Sequence, residues 1–299
     1  MNDTDQTTCI PFEDRKRHPK LWFDDGNIIL TTNLSIFRVH RSILAMNSSV
    51  FADMLSIPQP DTACIAFGGL PIVELSDDDE DFTHLLHFFY DHRYYYGGKI
   101  TTFSIISGLL RMSTKVLCFP LTDDRMMVQG ELFPPFKGQH FAVAALARET
   151  NASILLPAAL CRSSCEDVDI ITDGVAEDTG KIHQLSQTDL KRCLKGKCSI
   201  YASSVRFAFL LPSYLTSEKC KRDDVKGCRL IAKTKTKDYF SRDIVNIDVF
   251  GHWDPSDSWS RLVCDGCRLA AYARTDEFRR SLWAKLPSHF GLPEWGNDG

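Results

Sequence analysis

The stretch SIFRVHRSILAMNSSVFADML, residues 35–55, predicts a strand followed by two short helices. Phe37 and Val39 occupy alternate positions, which is the period of a strand. Apolar residues then recur at helical spacing, first as Ile43, Leu44 and Met46 on one face of a short helix. A second helix follows, and we expect it to bury Val50, Phe51, Met54 and Leu55. The polar run around Ser48 interrupts the helix because short polar side chains compete for backbone hydrogen bonds and favour helix caps. This pattern describes a packing unit, and none of its residues suggests catalysis.

The same stretch resembles the centre of BTB/POZ domains. The positions that carry the resemblance are Phe37, Val39, His40, Arg41, Ile43, Leu44, Ala45, Ser48, Ser49 and Phe51. Predicted strands at 27–32, 36–40 and 72–75 and helices at 77–90 and 102–116 fit the order of that family. The resemblance covers residues 18–119 and implies an α+β fold that acts by protein–protein contact.

The remaining sequence resembles the helical C-terminal region of a fungal BTB-domain family. The segments that carry this likeness are LARETNASILLPAAL, DLKRCLKG, VCDGCR and LWAKLPSHFGLPEW. We therefore predict a flexible arm at 1–17, a BTB/POZ domain at 18–119, an all-α domain at 120–295 and a tail at 296–299. The predicted helices of the second domain lie at 139–150, 154–161, 187–194, 199–211 and 268–285, with an acidic loop at 167–184.

Composition indicates an ordinary globular protein, with 43% hydrophobic and 25% charged residues. A net charge of −4 gives no electrostatic basis for binding nucleic acid. The basic run DRKRHPK is short, and we interpret it as part of a solvated arm. No apolar run is long enough to span a membrane, and the first twenty residues lack the apolar core of a signal peptide. We expect a cytoplasmic or nuclear protein whose eleven cysteines are reduced.

Two polar motifs have plain explanations. Ser76 and Asp79 have the spacing of a capping box, so the acidic run 76–81 should start a helix. The segment from Gly174 to Ile182 superficially resembles a phosphate-binding loop. However, it has five residues between its glycines in place of four, contains two acids, and lacks the hydroxyl residue that should follow Lys181. We reject that interpretation.

Three histidines, His84, His87 and His92, could be considered as metal ligands. The apolar stripe of the predicted helix places His84 and His87 toward solvent, and no Glu completes an H-E-x-x-H pattern. We interpret them as surface residues. His40 lies at the strand-to-helix junction, where the resemblance implies a structural histidine.

The cysteines offer one candidate metal site. Cys264-x-x-Cys267 has the spacing of half a zinc site, and Cys161-x-x-x-Cys165 could supply the other half. Neither pair lies in a glycine-turn zinc knuckle, and the remaining cysteines are spread at irregular intervals. We therefore predict no metal or other cofactor and keep these four residues as zinc candidates.

The resemblance also bears on self-association. In many dimeric BTB domains an Asp in the first strand pairs with a basic residue after the motif histidine. Arg41 matches the basic position, but the acidic position aligns with Asn27, so the charged pair is incomplete. The predicted interaction and structural motif comprises Asn27, Phe37, His40, Arg41, Leu44 and Phe51.

These observations favour a non-enzymatic protein–protein interaction module, with a homodimer or a cullin scaffold among the possible partners. One alternative is a substrate adaptor of a cullin-type ubiquitin ligase. Another is a zinc-stabilised scaffold or a cysteine-dependent enzyme. The apolar segment LWAKLPSHFGLPEW either packs on its own domain or serves as a ligand for a partner, and its aromatic content favours packing.

Overall fold

The computed structural model describes residues 14–57, 66–91, 93–95, 101–116, 133–177, 180–214, 216–218, 220, 227–240, 250 and 262–295. They belong to two compact units, Met1–Pro135 and Phe136–Gly299. The first unit contains a small sheet and helices, and the second is mainly helical, an arrangement compatible with the predicted α+β class. The predicted boundary at residue 120 and the tail 296–299 lie outside the described residues. Within the described ranges no helix combines the length and apolarity that crossing a bilayer requires.

A five-stranded sheet with the order β1-β3-β2-β5-β4 lies in the N-terminal unit. Its strands are β1 (Lys16–Trp22), β2 (Ile28–Thr31), β3 (Ser35–Val39), β4 (Ala66–Phe67) and β5 (Leu70–Glu74). Strand β2 pairs antiparallel with β3 and parallel with β5. All four residues of β2 are buried, as expected of a central strand covered on both faces. The three strands predicted from sequence are β2, β3 and β5.

Strand β1 corrects the end of the flexible arm predicted at residues 1–17, of which 1–13 lie outside the described part of the chain. It begins at Lys16 and pairs in parallel with β3. Just before it, the guanidinium of Arg15 donates a hydrogen bond to Glu74 Oε1 at 2.6 Å. The guanidinium of Arg17 lies 4.6 Å from the centre of the Trp22 ring within the same strand, a cation–π contact. The hydrogen bond from Arg15 therefore ties the segment before β1 to the end of β5.

Four helices accompany the sheet: α1 (Arg41–Asn47), α2 (Ser49–Ser56), α3 (Asp79–Tyr90) and α4 (Phe103–Val116). The predicted break between α1 and α2 is confirmed at Ser48, whose Oγ accepts a hydrogen bond from the Phe51 backbone nitrogen. Sheet and helices share one core, which comprises Leu21, Ile28, Leu30, Phe37, Val39, Leu44, Phe51, Phe82, Leu85, Leu86 and Met112.

The start of α3 differs from the predicted capping box. Asp78, two residues after Ser76, is the N-cap residue and accepts hydrogen bonds from the backbone of Glu80 and Asp81. The carboxylate of Asp79 instead accepts a hydrogen bond from Ser35 Oγ at 3.1 Å, which ties α3 to the beginning of β3. Tertiary contact thus decides which of several neighbouring acids caps the helix.

The C-terminal unit is built around one long helix. Its elements are α5 (Gln139–Glu149), a 3₁₀ turn (Ser153–Leu155), α6 (Leu156–Ser164), α7 (Val168–Asp173), β6 (Val175–Ala176), β7 (Ile182–His183), α8 (Gln187–Tyr214), α9 (Cys228–Phe240), α10 (Asp265–Ala284) and α11 (Leu286–His289). The helices predicted separately at 187–194 and 199–211 are the single helix α8. The predicted acidic loop at 167–184 contains α7 and the β6–β7 hairpin.

The end of the chain packs on its own unit, as the aromatic content predicted. Phe290 and Leu286 are buried in the core that α6 and α8 share with the C-terminal helices. Trp295 stacks on Trp283 with ring centres 5.4 Å apart and donates a hydrogen bond to its carbonyl oxygen. A glycine in α8, Gly196, makes room for the Phe290 ring, since a Cβ there would lie 2.0 Å from its Cε1 atom.

Candidate functional site

The apolar members of the predicted interaction motif lie inside the N-terminal unit. Phe37 and Leu44 are fully buried, and Phe51 is only 3% exposed. The rings of Phe37 and Phe82 meet edge-on, 5.6 Å apart, across the junction of β3 and α3. These three motif residues therefore join the sheet to its helices, and they offer no surface to a partner.

His40 is held by hydrogen bonds at the junction of β3 and α1. Its backbone nitrogen donates to the Tyr90 hydroxyl at 2.8 Å, and its Nδ1 lies 3.0 Å from the same oxygen. Its Nε2 lies 3.2 Å from a carboxylate oxygen of Asp25, and this hydrogen bond lowers the pKa of Asp25. Burial raises the pKa of Tyr90. The imidazole has partners for both nitrogens within its own unit, an arrangement that fixes the ring's orientation.

Asn27 and Arg41 contact each other, but their side chains do not form a pair. The amide oxygen of Asn27 accepts a hydrogen bond from the Arg41 backbone nitrogen at 2.8 Å, so Asn27 caps the start of α1. The guanidinium of Arg41 donates to the Leu55 carbonyl oxygen at 2.7 Å, near the end of α2. Both residues thus serve the local structure of the helix pair.

The prediction that His84 faces solvent is wrong, since this residue is 8% exposed. Its Nδ1 lies 2.6 Å from the Tyr94 hydroxyl, and its Nε2 lies 3.2 Å from Ser104 Oγ. The reason is that α4 packs against this face of α3. His87 is half-buried and stacks on Tyr94. Neither histidine belongs to a metal-ligand group in the described part of the chain, and His92 lies outside it.

The segment that superficially resembles a phosphate-binding loop is a hairpin. Gly174 has a positive φ of 81° and precedes β6, and the Glu177 backbone nitrogen donates to the Lys181 carbonyl. The Glu177 carboxylate lies 2.6 Å from Nε2 of His183. A carboxylate in this position would repel a phosphate, which supports the rejection of nucleotide binding.

Four cysteines from three separate segments of the C-terminal unit converge on one point. Cys220 lies after α8, Cys228 is the first residue of α9, Cys264 is the N-cap residue of α10, and Cys267 lies in the first turn of α10. Their four sulfur atoms all lie within 4.8 Å of one another. All four are free thiols, two of them buried and two partly exposed.

Backbone nitrogens surround these sulfurs. The Ser217 nitrogen donates to Cys267 Sγ at 3.3 Å, and the Cys264 nitrogen donates to Cys228 Sγ at the same distance. A hydrogen bond from the Cys267 backbone lowers the pKa of Cys264 to about 7, whereas burial raises the pKa of Cys228. The group combines four soft donor atoms with hydrogen-bond donors, and soft thiolates of this kind bind zinc.

The structure corrects half of the zinc pairing considered from sequence. Cys264 and Cys267 lie together as expected, but their neighbours are Cys220 and Cys228 in place of Cys161 and Cys165. Cys161 lies in α6 and Cys165 directly follows that helix. Burial raises the pKa of Cys161 to about 12 and also raises that of Cys165. Cys165 donates its thiol proton to the Cys161 carbonyl oxygen.

Sequence reasoning missed Cys220 and Cys228 because their spacing matches no zinc motif. For Cys228 the available signal was its position at the start of a helix, whereas Cys220 lies in the connection between α8 and α9 and carries no such signal. Cys228 follows a glycine at the start of α9, much as Cys264 begins α10. Thiols at helix starts face the positive end of the helix dipole, which favours thiolates.

A serine and a histidine also meet in the C-terminal unit. Ser199 Oγ on α8 lies 2.6 Å from Nδ1 of His289 at the end of α11. Burial, together with the charge of Lys285, lowers the pKa of His289. Within the residues described, no carboxylate orients this imidazole, the third member that such a pair needs for nucleophilic catalysis. The contact fastens the C-terminal segment to α8.

Two comparisons with known proteins identify no protein similar to this chain. A scan against protein-family models finds no family that matches, and a search of curated proteins finds no matching protein. Functional inference for this chain therefore rests on its own residues and their arrangement.

Proposed function

We propose that this chain is a non-enzymatic protein–protein interaction module built on a BTB-like N-terminal unit. The partner is a protein that docks on the helix pair α1–α2. The observation that carries the proposal is the exposure of large apolar side chains on this pair, namely Met46, Val50 and Ile57.

The order of elements in the N-terminal unit supports a BTB-like fold. Strands β2 and β3 lead into α1 and α2, and β5, α3 and α4 follow. This is the order on which the sequence resemblance rests. The motif residues are engaged in packing and internal hydrogen bonds, so a function in recognition falls to the surface around them.

The exposed apolar residues are concentrated on that surface. Met46 on α1 is 77% exposed, and Ile57, directly after α2, is 62% exposed. The expectation that Val50 is buried is wrong, since this residue at the start of α2 is 37% exposed. Across the described residues of the N-terminal unit, Leu34 is the one other large apolar side chain in this exposure class. Single exposed apolar residues are ordinary, but three on two adjacent short helices are typical of a contact surface.

The charged pair through which many BTB domains dimerise is a weaker basis for a dimer contact in this chain. The guanidinium of Arg41 already donates to the Leu55 carbonyl within its own unit. Asn27 is exposed and neutral, and its amide oxygen caps α1. Apolar contact through α1–α2 is therefore the basis of the proposal, whether the partner is a second copy or another protein such as a cullin scaffold.

The test compares Met46→Glu with Leu34→Glu as a matched control in the full chain. Light scattering coupled to size exclusion measures self-association, and quantitative capture from a cell extract measures binding to other proteins. If the partner is a second copy, we expect Met46→Glu to elute as a monomer. If the partner is another protein, we expect Met46→Glu to capture less of the proteins that wild type enriches. Leu34→Glu should behave like wild type in both assays. Asn27→Asp should leave the oligomeric state unchanged because Arg41 stays engaged with Leu55.

Two results would overturn the proposal. One is that wild type and Met46→Glu associate with the same proteins to the same extent, including themselves. The other is that the purified chain binds no protein and turns over a substrate. Circular dichroism should show that both variants fold like the wild type, because both substituted positions are exposed.

A further inference from the structure

We propose that Cys220, Cys228, Cys264 and Cys267 bind one zinc ion through four thiolates and form a structural metal site in the C-terminal unit. This inference is independent of the proposed interaction surface, which belongs to the N-terminal unit. It assigns a role to a cysteine group that the proposed function does not use.

The spacing of the sulfur atoms fits a tetrahedral zinc site. Zinc–thiolate bonds of about 2.3 Å place the four sulfurs of a regular tetrahedron roughly 3.8 Å apart. The sulfurs of Cys220 and Cys264 are 4.0 Å apart, and all four lie within 4.8 Å of one another. Small side-chain adjustments therefore suffice to reach bonding distance. A disulfide would require about 2.05 Å between two sulfurs, far less than this separation.

The four sulfur donors restrict the kind of metal that the group can bind. Four thiolates suit zinc or an iron–sulfur cluster, whereas calcium and magnesium require oxygen ligands. A zinc ion with four protein ligands has no open position for substrate, which is the mark of a structural site. Cys228 and Cys267 are completely buried, and the other two are partly covered, so the protein itself closes the site.

Burial raises the pKa values of Cys228 and Cys267, and backbone hydrogen bonds offset part of that effect. The nitrogens of Ser217 and Cys264 donate hydrogen bonds to Cys267 Sγ and Cys228 Sγ, each at 3.3 Å. Helices α9 and α10 both begin at this group, so the positive ends of two helix dipoles point toward it. Such contacts orient metal ligands and stabilise the negative charge that four thiolates carry.

The site would join three segments of the unit at a small apolar cluster. Among the residues that the structure describes, this cluster comprises Phe207, Ala232, Val263 and Ala271 beside the cysteines, with Ile231 and Phe278 partly buried against it. A metal that bridges the end of α8 to the starts of α9 and α10 would cross-link these segments. Binding releases the four thiol protons to solvent as four zinc–sulfur bonds form, and no oxidant or reductant is consumed.

The first experiment measures metal in the full chain, expressed with zinc chloride in the medium and purified under reducing conditions. Elemental analysis should find about one zinc per chain. Cobalt-loaded protein should show the intense visible bands of tetrahedral cobalt and the sulfur-to-cobalt charge transfer of thiolate ligands. Both readouts use the wild-type protein, so they do not depend on whether a cysteine variant folds.

Variants then identify the ligands. Cys220→Ser and Cys267→Ser should each bind zinc at least roughly tenfold more weakly than wild type. The controls are Cys165→Ser, directly after α6, and Cys198→Ser on α8, which lie outside the group and should retain full zinc content. Chelation of the wild type should speed proteolysis near the starts of α9 and α10 and leave the N-terminal unit intact.

Several results would overturn the proposal. Wild-type protein with no bound zinc and four readily alkylated thiols in this group would exclude the site. Iron in place of zinc, or two disulfides in freshly reduced protein, would replace it with different chemistry. Full zinc content in both Cys220→Ser and Cys267→Ser would show that the metal binds elsewhere.

Discussion

The close contact between Gly196 and Phe290 gives a quantitative prediction for Gly196→Ala. Alanine normally stabilises a helix interior by about 0.8–1.0 kcal/mol relative to glycine. Here its Cβ would lie 2.0 Å from Phe290 Cε1 and 2.1 Å from Cδ1, whereas carbon atoms pack at about 3.5–4.0 Å. The Phe290 ring is 1% exposed and must therefore move out of a filled core.

Helix propensity and the steric clash change the unfolding free energy of Gly196→Ala in opposite directions, and the clash is the larger of the two. Forcing the ring aside costs about 1–3 kcal/mol as overpacking, and the upper end applies because the whole ring edge is blocked. After subtraction of about 1 kcal/mol of helix propensity, the net loss of unfolding free energy is about 2 kcal/mol. For a unit of this size, that loss lowers the melting temperature by roughly 4–8 °C.

A double-mutant cycle separates the steric effect from helix propensity. Phe290→Ala alone should cost about 3–5 kcal/mol because it empties a buried site. In that background the obstacle is gone, so Gly196→Ala should raise stability by about 1 kcal/mol. The predicted coupling is therefore about 3 kcal/mol, and the sign of the Gly196→Ala effect reverses between the two backgrounds.

The assay is urea and thermal unfolding of the full chain, followed by tryptophan fluorescence. Trp283 and Trp295 stack on each other beside the segment that carries Phe290, so their signal reports on this packing. If Gly196→Ala is as stable as wild type while Phe290 is present, the contact does not constrain residue 196 and the reasoning is refuted. An additive cycle would refute it equally.

Two further predictions concern hydrogen bonds at helix starts. Asn27→Ala removes the acceptor for the Arg41 backbone nitrogen at the start of α1, and it should lower the free energy of unfolding by about 1 kcal/mol. Urea titration measures this loss, with Asn27→Asp as the control because it keeps the acceptor. Burial raises the pKa of Asp189, but two hydrogen bonds and the charge of Arg148 outweigh burial and hold it below its usual value. Because the pKa of Asp189 is lowered in the fold, its charge stabilises the fold above about pH 4, and this stabilisation is lost as the pH falls further. Arg148→Met should therefore reduce the loss of unfolding free energy between neutral and acid pH. An unchanged pH dependence of the unfolding free energy would contradict this account.

The sequence predicted elements whose pattern is local. Strands β2 and β3 follow from alternate apolar positions, and the break at Ser48 follows from its capping chemistry. Each depends on neighbours within a few residues, so one sequence suffices to recognise it. The same reasoning located α5, α6 and α10, but it divided α8 into two helices and did not predict α7, α9 or α11.

The errors concern features that distant contacts decide. Strand β1 resembles a solvated basic arm until its parallel pairing with β3 and the Arg15–Glu74 hydrogen bond are known. The sequence predicts separate helices on either side of Gly196, yet α8 is continuous and the Phe290 ring occupies the space that a side chain at residue 196 would need. In both cases a residue type that is unfavourable locally is compensated by a partner far along the chain.

The cysteine group shows the same principle at a candidate site. Spacing singled out Cys264 and Cys267 because both lie at the start of one helix, and their sulfurs do belong to the group. Cys161 and Cys165 could have supplied the other half, but Cys161 is buried in the core and the thiol of Cys165 donates a hydrogen bond to the Cys161 carbonyl oxygen. Cys220 and Cys228 come from either side of the α8–α9 connection, and only the packing of α8, α9 and α10 brings them to the first pair. A metal site assembled from three segments therefore depends on the fold for its identity, and we expect that fold to depend in turn on the metal.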